Sequence, residues 1–557
     1  MPHTPEPPSL SWLFQGLPGT SPIRTNSPEH GDTHALLVRD GRIVALGDDA
    51  VRLAEAEPPE QRVQVSGLLM PAFGDGHAHP MFAGLEWFGP RIRGAGSVEE
   101  IIAAVGAWAT EHPGEDWIVG ASYDPTLAPD GVFDAAWLDE VVADRPVVLR
   151  AGDYHTVWCN SEALRRAGVT ADTPDPRLGW IVRRADGSPS GTLREWHACD
   201  LVLDRVPGRS VDELVEALGI AGARYAECGV TFVQDAWVEP DMVEPYLVAE
   251  ERGRLSFRAN LAFRADPDTW VSGGQVAAFT AARERVHARS AGLVTAHTVK
   301  FFADGVIESG TAAVLEPYCD APHTCGMPVW APAELRDAVT AFDAAGFQVH
   351  IHAIGDAGVR PALDAVEAAQ AANPAWDRRP VIAHVQLVDP ADLDRFAALG
   401  VVANFEPLWA QLDPLQRELT IPRLGPERAA LQYPMGDLAA RGVRLSFGSD
   451  WPVTSPVPME GVAIAVTRRT DDGLPDEEGW TPHQKLTIDQ ALDAYTTGVA
   501  YQVFADDRGV LTPGAAADLV WLGHDPRAAV RDGDAGTLAS ISVRGTWLAG
   551  RAVHGTP

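Results

Sequence analysis

The sequence predicts an α/β fold, a (β/α)8 barrel with a small composite β-sandwich built from both termini and a large insertion after strand one. Three observations carry that prediction. Eight short apolar, β-branched runs recur along the chain. Stretches rich in Ala, Leu and Glu, of helical character, lie between them. Seven of the eight runs follow one another at intervals close to those of βα units.

Taken in order, the strand candidates are 68–76, 229–236, 256–263, 297–303, 347–353, 380–387, 400–406 and 443–449, and the helix candidates include 211–228, 332–345, 358–372 and 390–399. Within 211–228, Val211, Leu214, Leu218, Ile220 and Ala221 fall near a 3.6-residue period, and Gly229 stands where a C′ glycine ends a helix. Roughly 150 residues separate the first two strands, far beyond a βα loop. Residues 85–207 are therefore expected to fold as a subdomain over the barrel mouth, with strand-like runs of their own in DWIVGAS and RPVVLRAG. Residues 33–46 (THALLVRDGRIVAL) read as a hairpin around an Asp-Gly turn. Short strands in 515–522 and 540–554 are expected to pack with it. The predicted division is a sandwich from 1–70 and 508–557, a barrel from 71–84 and 208–507, and the 85–207 insertion.

The composition narrows the function. Of 557 residues, 46% are hydrophobic and 22% charged, too polar for a membrane protein and too apolar for a disordered one. The first 23 residues contain no Lys or Arg and no long apolar run, and no stretch approaches ~18 apolar residues, so the cytoplasm is the expected compartment. The net charge, 44 − 77 = −33, argues against nucleic acid and anionic membrane surfaces as partners. The five cysteines (Cys159, Cys199, Cys228, Cys319, Cys325) form no CxxC pair and read as reduced, mostly buried thiols. Only Lys300 and Lys485 are lysine among the 44 basic residues.

The chemistry-bearing residues gather at C-terminal strand ends, where a barrel builds its active site. His77 and His79 follow the first strand and, one residue apart, face the same side. Lys300 lies in the fourth strand, His352 ends the fifth, His384 lies on the sixth and Asp450 closes the eighth. Imidazole and carboxylate are ordinary ligands of a borderline divalent ion such as zinc. An ammonium cannot ligate, but a lysine neutralised by burial can react with CO₂ to give a carbamate whose oxygens bridge two metals. Arginine, always protonated, cannot. His350 alternates onto the same face one layer deeper and reads as barrel packing. Asp304 and Glu308 follow Lys300 in a loop, where they either orient substrate or cap and pair.

The segments PAFGDGHAHP, VKFFADGVIESGTAA, VHIHAIGDAG, VIAHVQLV and FGSDWPV, in that order, resemble the metal-dependent amidohydrolase superfamily, and more narrowly its amidohydrolase-3 branch, which includes the N-substituted formamide deformylases. RDGRIVALGDD and GVLTPGAAADLVWL resemble the same family's sandwich, so the likeness runs from Ala35 to Val553. It implies His77, His79 and Asp450 as ligands of one metal, His352 and His384 as ligands of a second, and carbamylated Lys300 and a hydroxide bridging them. Asp450 would act as general base and then general acid. Some members of the superfamily use one metal, so one or two ions, zinc first among the candidates, are expected. The DYHTVWCN segment, with His155 and Asn160, resembles an insertion motif of this branch that reaches into the site. Tyr123, His155, Asp304 and Trp451 are candidate substrate contacts. The implied substrate is a small amide, an N-substituted formamide or N-acyl amine, cleaved at its C–N bond, and a homodimer is common in the family.

Three other readings compete. A Schiff-base aldolase would use Lys300, but it leaves His77, His79, His352, His384 and Asp450 without a role. A catalytically inactive binding protein would have lost ligands, whereas all six positions are filled. A deaminase of the same superfamily often carries Glu a few residues beyond the fifth-strand His, where this chain has HAIGD. No GxGxxG, Walker-type loop or GxSxG elbow occurs.

Overall fold

The computed structural model of the protein describes residues 10–555, so the first nine of the 23 leading residues considered above lie outside it. Eight parallel strands form the central sheet: β1 (Phe73–Ala78), β2 (Val230–Val238), β3 (Arg258–Arg264), β4 (Val294–Phe302), β5 (Gln348–Ala353), β6 (Val381–His384), β7 (Val402–Phe405) and β8 (Leu445–Phe447). Each pairs with the next in parallel register, as the eight buried runs and their spacing predict. Below Lys300 the interior holds a polar ladder in which Asn260 donates to Gln234 and Thr298, each at 2.9 Å, and Thr298 donates to Gln348 at 2.7 Å. Every member finds a partner, which is what keeps a buried polar layer from costing stability.

Closure between β8 and β1 is made largely by loop and side-chain hydrogen bonds. The buried Asp75 carboxylate accepts from the Ser449 amide at 3.0 Å and its hydroxyl at 2.5 Å. The Asp450 amide donates to the His77 carbonyl at 2.7 Å, and the His79 amide to the Trp451 carbonyl at 2.7 Å. A Cβ on Gly448 would lie 2.7 Å from the His77 nitrogen, so this approach requires glycine. The seam carries His77, His79 and Asp450 together.

The helix Val211–Cys228 has the predicted bounds, fixed by a Ser210/Glu213 capping box and by Gly229 at φ 80. Its buried face differs from the predicted stripe. Val215, Leu218, Ala221, Gly222 and Tyr225 face inward, whereas Val211, in the first turn, is exposed. The predicted strand 68–76 is two strands. Leu68–Pro71 pairs with Leu519–Leu522 in another sheet, and the Ala72 amide then donates to the Asp518 carbonyl before β1 begins. Pro71, with no N–H, sits where one ladder ends and the other has not begun.

Two four-stranded sheets pack on each other beside the barrel. One contains Trp12–Gly16, Ala35–Arg39, Arg42–Leu46 and Gln61–Val65, and the other Leu68–Pro71, Leu519–Leu522, Val543–Leu548 and Arg551–His554. Phe14 and Trp547 meet edge to face at 4.9 Å in their shared core. The expected hairpin turns at Asp40 and Gly41, with φ 48 and 73. Between β1 and the Val211 helix, strands Ile118–Tyr123, Val147–Ala151, Thr156–Cys159, Trp180–Arg183 and Pro189–Arg194 make a separate five-stranded sheet. Among the described residues no helix is long and apolar enough to cross a membrane. Cys159, Cys199 and Cys228 are buried free thiols, and Cys319 and Cys325 are exposed ones.

Candidate metal centre

The six residues singled out in the sequence converge at the C-terminal mouth of the barrel. The ligand atoms of His77, His79 and Asp450 lie within 4.8 Å of one another. His79 Nε2 is 2.9 Å from Asp450 Oδ1, and His77 Nε2 is 3.7 Å from the same oxygen and 3.1 Å from Lys300 Nζ. The His384 ring lies 4.6 Å from that of His77 and 4.5 Å from that of His352. His384 and Asp450 adopt left-handed backbone, φ 74 and 51. Such conformations cost about 1–3 kcal/mol each for residues other than glycine and persist where their surroundings hold them.

The protonation states suit cation binding. Burial, reinforced by Lys300 and the neighbouring imidazoles, holds His77 well below its ordinary value. Burial does the same for His352 and His384. Burial also lowers the Lys300 amine to about 7. Burial alone would raise Asp450, but the His79 contact outweighs it and keeps the carboxylate low. His77, His352 and His384 therefore offer neutral nitrogens, and Asp450 offers an anion. His79 Nδ1 is buried without a hydrogen-bond partner, and the buried Asp450 Oδ1 has no close donor but the His79 ring. Unsatisfied buried polar atoms are costly, and a divalent ion would satisfy this set.

Three supporting residues were not singled out in the sequence as such. Glu406, just beyond β7, accepts from His384 Nδ1 at 2.8 Å, which leaves His384 Nε2 with its lone pair. Its position at a strand end is the signal that could have found it. His350 is more than barrel packing: its Nε2 lies 2.9 Å from His77 Nδ1 and orients that ring from behind. Glu195, fully buried in the insertion, accepts from His155 Nδ1 at 2.9 Å.

A cavity of about 530 Å³ opens over the centre, walled by His352, Asp450, Glu308 and Trp409 from the barrel and by Tyr123 and His155 from the insertion. Trp409 stacks on His384 at 5.2 Å with the planes 1° apart. Burial opposes a charge on His155, but the adjoining Glu195 carboxylate prevails and pushes its value up to about 9. Three sequence candidates sit elsewhere. Asp304 is fully buried and spends its oxygens on the amides of Ala313, Ile354 and Gly355 at 2.8–3.0 Å, so it holds a loop behind His352, whose Nε2 is 3.7 Å away, and does not line the cavity. Trp451 packs against Tyr225 at 5.0 Å and lines a neighbouring cleft with Arg91 and Ile220. Asn160 caps the helix Ser161–Ala167 and donates to the Val142 and Arg145 carbonyls.

Nitrogen and carboxylate donors around a buried lysine, at the C-terminal mouth of a parallel barrel, are the features of a metal-dependent hydrolase. The chain matches the amidohydrolase family over residues 66–554 and belongs to it. It is 31% identical over 507 residues to the LONG AFTER FAR-RED 3 protein of Arabidopsis thaliana, covering 88% of this chain and 83% of that one. It is 26% identical over 545 residues to an N-substituted formamide deformylase of Arthrobacter pascens, covering 95% of this chain and 96% of that one. The crystal structure of an uncharacterized metal-dependent hydrolase from Pyrococcus horikoshii superposes with a TM-score of 0.72 at 25% identity, covering 93% of this chain and 98% of that one.

Proposed function

We propose that the protein hydrolyses the C–N bond of a small N-substituted formamide or related N-acyl amine. The observation that carries this reading is the His77, His79 and Asp450 trio, its ligand atoms within 4.8 Å of one another beneath a substrate-sized cavity. The likeness to a formamide deformylase supports the substrate class. His77, His79 and Asp450 would hold one ion, for which the donor types favour zinc, and His352, His384 and Lys300 a second. A divalent ion bound there polarises a carbonyl and acidifies a water to a pKa near ~7.

The chain's own residues account for the rest. Neutral Lys300 adds through Nζ to CO₂ and loses one proton, giving a carbamate where an arginine would stay cationic. Glu406 and His350 fix the tautomers of His384 and His77. Asp450, kept ionised, takes the proton of the attacking water and returns it to the leaving amine nitrogen. Trp409 and the insertion wall exclude bulk water from the substrate.

The zinc-loaded protein is expected to release formate from N-formylpentylamine. Asp450→Asn should lower kcat by roughly a thousandfold while retaining more metal than His77→Ala. Wild-type turnover in Asp450→Asn would contradict the assignment.

A further inference from the structure

The cavity wall carries charge that the hydrolytic centre does not use. Besides Asp450, four carboxylates line it: Asp124 and Asp153 from the insertion, and Glu308 and Asp413 from barrel loops. The insertion and the barrel contribute two each. Burial, and then Asp153, pushes Glu308 up to about 7. Burial also raises Asp413, with Asp124 adding to the effect.

Most nearby cations have partners of their own, although the His155 ring, charged through Glu195, also stands close enough to Asp153 and Glu308 for both to favour its proton. Arg93 pairs with Glu86 at 2.8 Å, His155 with Glu195 at 2.9 Å and Arg423 with Asp320 at 2.7 Å, and Arg194 donates to the Asp130 carbonyl. Arg417, one turn from Asp413, is exposed. Among the described residues no ion pair reaches any of the four. A second, independent observation comes from Tyr123. It is fully buried, it lines the same cavity, and its hydroxyl has no partner. Leu408, Leu415 and Trp409 add apolar wall alongside.

Like charges held together in a partly desolvated cleft repel, and a cation placed between them turns both repulsions into attractions. A phenol oxygen can accept from an ammonium N–H, and the apolar wall suits a methylene chain. We propose that this wall is a subsite for a cationic group, an ammonium or guanidinium at the far end of the amide that the centre hydrolyses. The inference rests on the amide-hydrolase reading and specifies its substrate class.

The test compares N-formylputrescine with N-formylpentylamine, which are alike in length and differ in the terminal ammonium. The cationic amide should be preferred in kcat/KM by about tenfold or more, the size of one charge-assisted contact. Glu308→Gln and Asp413→Asn should each shrink that ratio, chiefly through the KM of the cationic amide. Equal or better use of the neutral amide would overturn the subsite. Calorimetric titration separates this from a failure of the hydrolase reading. If neither amide is cleaved, N-formylputrescine should still bind the wild-type protein more tightly than N-formylpentylamine does, and Glu308→Gln should abolish the difference. Equal binding of the two amides, or displacement of N-formylputrescine by calcium at the same residues, would sink the subsite whatever the reaction.

Discussion

The His155–Glu195 pair shows how much one contact controls. An imidazole in this buried place would be neutral, yet the carboxylate 2.9 Å away raises its value to about 9. The folded state then holds a proton that the unfolded chain, with a pKa near ~6.5, gives up earlier. The stabilisation, roughly 3 kcal/mol, is fully present below the unfolded value and is lost as pH rises through the folded one. Glu195→Gln should therefore unfold in less urea than wild type at about pH 6, and the gap should close by about pH 10. A gap that does not change with pH would remove the charge from the account. Sequence reasoning singled out the six candidate ligands because each pairs a residue type with a strand end. It missed Glu195 because its role depends on a partner 40 residues away in the chain. It undervalued His350 because an inward position one layer down looks the same whether the ring packs or supports a ligand. Asp304 was the reverse case: an acid close to Lys300 in sequence whose oxygens three loop amides had already claimed.

Among the elements, the turn after β8 does the most to assemble the site. Asp75, Ser449 and the amides of His79 and Asp450 close the barrel where a regular ladder would otherwise be expected. Gly448→Ala would place a methyl 2.7 Å from the His77 nitrogen. Such overpacking typically costs about 1–3 kcal/mol, and here it would also push His77 away from Asp450. The variant should unfold at lower urea and bind less zinc per chain. Wild-type zinc content would show that the seam does not position the ligands. The eight strands were legible because each is a buried apolar run of recognisable spacing. The break at Pro71 was not, because hydrophobicity alone does not say which of two sheets a residue joins. The Val211 helix was legible in its ends, which caps and a glycine fix locally. Its buried face was not, because that depends on how the helix docks.

At the scale of the whole molecule, the sequence carries a net charge of −33. Such a field favours the approach of cations and is screened by salt within about 10 Å at 0.1 M. The kcat/KM of N-formylputrescine should fall as ionic strength rises, while that of N-formylpentylamine should stay nearly flat. Parallel salt dependence of the two would separate the surface charge from substrate capture. The scarcity of lysine has also gained a local meaning, because Lys300 sits fully buried 3.1 Å from His77 Nε2, a place where a permanently charged guanidinium would repel a metal. Hydrolysis should depend on metal held at the His77, His79 and Asp450 centre. Bound metal and formate release are to be measured on the same protein before chelation, after it and after zinc is restored. Activity should vanish with the metal and return with one or two equivalents of zinc in wild type, and His77→Ala should recover neither metal nor turnover. Full turnover by metal-free protein would contradict the account.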